Sequence, residues 1–73
     1  MNAMNPTITV TINGEPREVS PGLTISEMLT RLSIPAGRVA IEYNLDILPR
    51  SQWDKTRVQP GDRFEIVHFV GGG

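Results

Sequence analysis

The sequence predicts an α+β domain in which one main helix packs on one face of a mixed sheet of four to five strands. Three observations lead there. Thr7 to Ile12 alternates in polarity and runs into Asn13-Gly14, the favoured pair for a tight hairpin turn. A single apolar stripe at helical spacing follows, at Ile25, Met28, Leu29 and Leu32. The stretch from Phe64 to Val70 is dense in β-branched and aromatic residues, and it meets Gly71-Gly72-Gly73 with no polar linker between. At 73 residues the chain reads as one domain, 1–73, with a small core.

Residues 1–6 show no periodicity and read as a loose lead-in, with Met1 and Met4 as alternative starts. In the first strand Ile8, Val10 and Ile12 share one face and Thr7, Thr9 and Thr11 the other. Glu15 to Val19 returns antiparallel, with Pro16 tolerated near an edge or a strand start. Ser20-Pro21-Gly22 breaks that strand. Thr24 and Glu27 then have the spacing of a capping box, so a helix starts after Thr24. Pro35 is expected to stop it, with Gly37 loosening the exit. Val39 to Tyr43 is a third strand, Asn44-Leu45-Asp46 a turn, and Ile47-Leu48 a short strand ended by Pro49. Ser51 to Thr56 is expected to hold a helical turn that lays Trp53 on the core as a lid, a structural role. Gln59-Pro60-Gly61-Asp62 is a turn, and the final strand opens at Arg63. The expected core is Ile8, Val10, Ile12, Ile25, Met28, Leu29, Leu32, Ile41, Phe64 and Ile66. A right-handed crossover would lay the last strand beside the first, which is the ubiquitin-like β-grasp arrangement.

Composition removes several functions. Seven basic against eight acidic residues leave a net charge of -1, so nucleic-acid binding has little electrostatic support. There is no cysteine for a disulfide or a thiol nucleophile, and the lone His68 makes no zinc cluster. No apolar run has the length of a membrane span and no signal-peptide pattern opens the chain, so a cytoplasmic location is expected. No catalytic residue and no metal ligand set are assigned. Enzyme activity of the isolated chain is not expected.

The glycines carry what chemistry remains. Gly71 to Gly73 offer no side chain to bury, so they read as a flexible arm reaching roughly 10 Å past the last strand residue. A terminal carboxyl titrates at about 3.3–3.7, so Gly73 would end in an anion that is a poor electrophile until activated from outside. An activating partner would spend ATP to make the acyl adenylate, and the chain itself binds no cofactor. Slim Gly71 and Gly72 suit passage through a partner's channel. Alternation on the last strand sends Phe64 and Ile66 to the core and turns Val67 and Phe69 outward. Together with Val70 these form the expected docking surface beside the arm.

A β-grasp pattern with a Gly-Gly end resembles the small sulfur-carrier proteins, and most closely the ThiS type of thiamine biosynthesis. The residues that carry the likeness are the Asn13-Gly14 turn, the short helix, Leu48-Pro49-Arg50-Ser51-Gln52-Trp53, Pro60-Gly61-Asp62 and Phe69-Val70-Gly71-Gly72-Gly73. The resemblance implies that Gly73 is adenylated by a ThiF-type enzyme and converted to a thiocarboxylate with sulfur from a donor system. It also implies delivery of that sulfur to a ThiG-type thiazole synthase, and a monomer when free. The family needs a diglycine, whereas three glycines stand here. The alternatives are a carrier of the molybdopterin-synthase type, a ubiquitin-like modifier joined through Gly73 to lysines, and a non-covalent β-grasp binding module. Neither nucleic acid nor membrane is an expected partner.

Overall fold

A computed structural model of the chain describes residues 6–69. Val70, Gly71, Gly72, Gly73 and most of the 1–6 lead-in therefore lie outside the described residues. The elements are β1 (Ile8–Ile12), β2 (Glu15–Val19), α1 (Ile25–Arg31), β3 (Val39–Tyr43), β4 (Asp46–Leu48), a 3-10 turn (Arg50–Gln52) and β5 (Arg63–His68). They build one sheet in the order β2-β1-β5-β3-β4. β5 runs parallel to β1 on one side and antiparallel to β3 on the other, so the last strand in sequence is the central one in space.

Both hairpins turn on two residues. Asn13 and Gly14 have φ of 51° and 82°, the positive values a type I′ turn requires. Asn44 and Leu45 repeat that geometry at φ 50° and 78°. Leucine there is unusual, because its Cβ crowds the following carbonyl at a cost of about 1–2 kcal/mol. Asp46 pairs with Tyr43 as the first residue of β4, so the turn is one residue shorter than the sequence suggests.

The start of α1 is the one expected. Thr24 caps it, accepting from the Glu27 N–H at 3.2 Å, while the Glu27 carboxylate accepts from the Thr24 N–H at 2.8 Å. That backbone hydrogen bond, with help from the Thr24 hydroxyl, Arg57 and Arg31, holds the Glu27 carboxyl below the usual range. The end is different. α1 stops at Arg31, well before Pro35, because Ser33 turns left-handed at φ 59°. The Ile34 N–H then reaches back to the Leu29 carbonyl at 2.9 Å, and the Ser33 N–H to Thr30 at 3.1 Å. This is a Schellman motif with serine in the place usually held by glycine.

The core lies between α1 and the covered face of the sheet. Val10, Ile12, Val19, Ile25, Met28, Leu29, Val39, Ile41, Trp53, Val58, Phe64 and Ile66 form one buried cluster. Ile8 and Leu32, expected inside it, are only half-buried at its margin. Ile8 begins its strand, and Leu32 lies past the last turn of the shortened helix. Trp53 is a core residue, and its indole N–H donates to the Leu48 carbonyl at 3.1 Å.

Asp62, just before β5, is buried, and its carboxylate ties the end of β3 to the turn that precedes β5. It accepts from the Tyr43 hydroxyl at 2.8 Å, the Asn44 amide at 3.2 Å and the Gln59 N–H at 2.7 Å. Partial burial, then the hydrogen bond to Asp62 and its charge, push the Tyr43 hydroxyl from 10.0 up to about 12. The folded state thus holds this proton more tightly than the unfolded chain does. The resulting stabilisation is complete below pH 10.0 and is lost as pH rises towards about 12. Denaturation midpoints measured across that window should fall more steeply for the wild type than for Tyr43→Phe. Parallel curves would refute the coupling.

Candidate functional site

The candidate site is the far end of β5 and the surface around it. A central strand is a stiff base, and two devices extend its pairing beyond the regular ladder. On the β1 side, where the strand gives way to its turn, the Asn13 side chain takes over from backbone. Its Nδ2 donates to the Ile66 carbonyl at 3.1 Å, and the Ile66 N–H donates to its Oδ1 at 2.7 Å. The Asn13 N–H also donates to the Phe64 carbonyl at 2.8 Å. On the β3 side, Val39 pairs with His68, and the Phe69 N–H donates to the Arg38 carbonyl at 2.9 Å. Both devices act within the last residues before Val70.

Val67 and Phe69 point away from the core, 56% and 60% exposed. The same open face carries Ile47, 68% exposed and paired with Glu42 of β3. Leu45 at the hairpin tip adds a further exposed apolar group at 75%. Glu42 and Glu65 lie opposite one another across β3 and β5 on this face. This face thus carries exposed apolar groups beside the Glu42–Glu65 pair, with Arg63 and Thr11 further along it. Ile47 and Leu45 were not singled out from the sequence; the period-2 pattern of β4 is too short to give its faces away. His68 is exposed beside a shallow groove lined by Ile12, Asn13, Arg17, Ile34 and Ile66.

Gly71 and Gly72, expected as the arm, Gly73, expected as the modified residue, and Val70, expected in the docking surface, lie outside the described residues, so the geometry bears only on the strand that precedes them. Among the described residues no group of His, Asp and Glu side chains stands close enough to hold a metal ion. No described helix is long and apolar enough to cross a membrane. Chemically, the described part of this end offers a braced strand with exposed apolar side chains alongside.

The comparisons with known proteins agree with one another. The family model described as "ThiS family" matches residues 10–73, a span that includes the three glycines. A thiazole synthase of Paramagnetospirillum magneticum is 44% identical over 62 residues, 85% of this chain. The chain spans only 19% of that enzyme's length. The sulfur carrier protein ThiS of Escherichia coli is 30% identical over 64 residues, covering 88% of this chain and 97% of the relative. Among solved structures, the thiamine biosynthesis protein ThiS of Geobacter metallireducens superposes with a TM-score of 0.78 at 35% identity. That match covers 90% of this chain and all of the other, and it shows the ubiquitin-like β-grasp fold.

Proposed function

The chain belongs to the ThiS family of sulfur carriers in thiamine biosynthesis, and from that premise we propose that its Gly73 carboxyl is the sulfur-bearing group. The observation that carries the proposal is the extent of the family match, which runs through the glycine arm. The carboxylate attacks the α-phosphate of ATP on an activating enzyme of the ThiF type, giving an acyl adenylate and pyrophosphate. A sulfide-level donor then attacks the acyl carbon, the C–S bond forms, the C–O bond to AMP breaks, and a thiocarboxylate remains. This chain acts as co-substrate; the nucleotide and the catalytic groups belong to the partner. With no cysteine in the sequence, the carboxyl is the group available for sulfur. A thiazole synthase of the ThiG type is the proposed acceptor of that sulfur. It is supported by two thiazole synthases that contain a segment like this chain.

Incubation with the activating enzyme, ATP and a sulfur donor should raise the intact mass by the difference between one sulfur and one oxygen. Peptide mapping should place the change at Gly73. A chain found instead as an isopeptide adduct on lysines of other proteins would establish a modifier and end the carrier proposal.

Val67 and Phe69, with Val70 beyond them, are the proposed docking surface for the activating enzyme. Phe69 is 60% exposed, so its ring is free to be buried by a partner. Phe69→Ala should weaken partner binding by about 1–2 kcal/mol, read by titration calorimetry, with the melting temperature nearly unchanged. Unaltered affinity would remove Phe69 from the interface.

A further inference from the structure

The segment Leu48-Pro49-Arg50-Ser51-Gln52-Trp53 marks the family likeness, yet nothing so far gives Arg50 a role. Its guanidinium lies 4.3 Å from the centroid of the buried Trp53 ring, which holds the plane in one orientation. From there it reaches three backbone carbonyls. Nη1 donates to Ala36 at 2.7 Å, while Nη2 stands 3.3 Å from the Gly37 carbonyl and 3.4 Å from that of Val39. Ala36 and Gly37 belong to the loop that leads into β3, and Val39 is the first residue of that strand. Arg38 lies between Gly37 and Val39, and its carbonyl receives the Phe69 N–H. Val39 pairs with His68. One side chain therefore fixes the short stretch of backbone against which the last described residues of β5 are laid.

We infer that Arg50 is a positioning residue for the functional end of the chain, acting through the backbone of residues 36–39 on which His68 and Phe69 are laid. The inference rests on reading the chain as a carrier whose arm must enter a partner's active site. Lysine is a poor substitute in this cradle. Its ammonium has no flat face to stack on Trp53 and no rigid fork to keep two nitrogens at the Ala36, Gly37 and Val39 carbonyls.

The test uses the full chain as wild type, Arg50→Lys and Arg50→Gln, with two measurements. Amide hydrogen exchange reads the Phe69 N–H against the Thr11, Asn13 and Asn44 amides, whose acceptors are the Asp62, Phe64 and Arg63 carbonyls. Phe69 exchange should speed up about tenfold in Arg50→Gln, less in Arg50→Lys, with the three reference amides unchanged. Steady-state adenylation should show the KM for the carrier rising about tenfold in Arg50→Gln while kcat stays near wild type, the pattern of lost positioning. Unchanged exchange at Phe69, or equal acceleration at all four amides, would overturn the proposal, as would an unchanged KM. The exchange measurement needs no partner. It decides the clamp even where the wild-type chain proves not to be adenylated, an outcome that would refute the carrier reading instead.

Discussion

Removing Gly72 and Gly73 should abolish adenylation and leave the melting temperature where it was. The shortened chain would still end in a glycine carboxylate, so the reactive group itself is kept. What it loses is reach: two extended residues span roughly 7 Å, enough to leave the carboxylate outside an active site at the end of a narrow channel. Stability should not follow, because among the described residues the buried cluster lies between Val10 and Ile66 and the bracing bonds reach as far as Phe69. Gly72→Ala should give a milder form of the same defect, since a Cβ thickens the arm and withdraws positive φ values open to glycine. ATP–pyrophosphate exchange and thermal melting check both variants. A truncated chain that is still adenylated, or one that melts early, would contradict the assignment of the glycines to reach alone.

The largest loss of stability is expected from Phe64→Ala. Phe64 is 1% exposed, and its ring lies 5.3 Å from that of Tyr43. It pairs with Ile12 on one side and Tyr43 on the other, so its side chain stands where the parallel and antiparallel halves of the sheet meet. Truncation leaves a void bordered by both halves, costing about 3–5 kcal/mol. A domain of this length holds only about 4–11 kcal/mol in all, so much of the population should unfold near body temperature. Chemical denaturation measures it, and a midpoint close to the wild type would mean that the core closes around the gap. Phe64→Ala within β5 and Phe69→Ala just past its end should thus part cleanly into a folding defect and a binding defect.

Local sequence signals proved legible where a single residue type meets a single geometric demand. Asn13-Gly14 declares its turn because both residues accept positive φ, and Thr24 with Glu27 declares the cap through its spacing. Pro35 was the louder stop signal, but Ser33 ended α1 first, and a serine in left-handed conformation announces nothing in a sequence. Val58 enters the core from a stretch without periodicity, held by its N–H to the Leu23 carbonyl at 2.8 Å. No repeat pattern could reveal it. The candidate site divides the same way. Val67 and Phe69 follow from alternation along one strand, whereas Arg50 and the Asn13 amide act on partners 11 to 14 and 53 residues away. Asp62 was read as a turn residue for the same reason, since Tyr43 and Asn44 lie 19 and 18 residues upstream.

The central place of β5 has a consequence for how the molecule comes into being. Chains emerge from the ribosome N-terminus first. Until β5 is released, β1 with β2 and β3 with β4 are two separate hairpins, each with an unmatched edge, and a lone two-stranded hairpin is marginal in water. The strand that unites them is the one that leads into the glycine arm. Prematurely terminated products lack the piece that closes the sheet, so they remain unfolded and open to proteolysis. Folding itself thereby acts as an inspection step: a molecule that reaches the native state has been translated at least through β5, to the threshold of the glycines proposed to carry its chemistry.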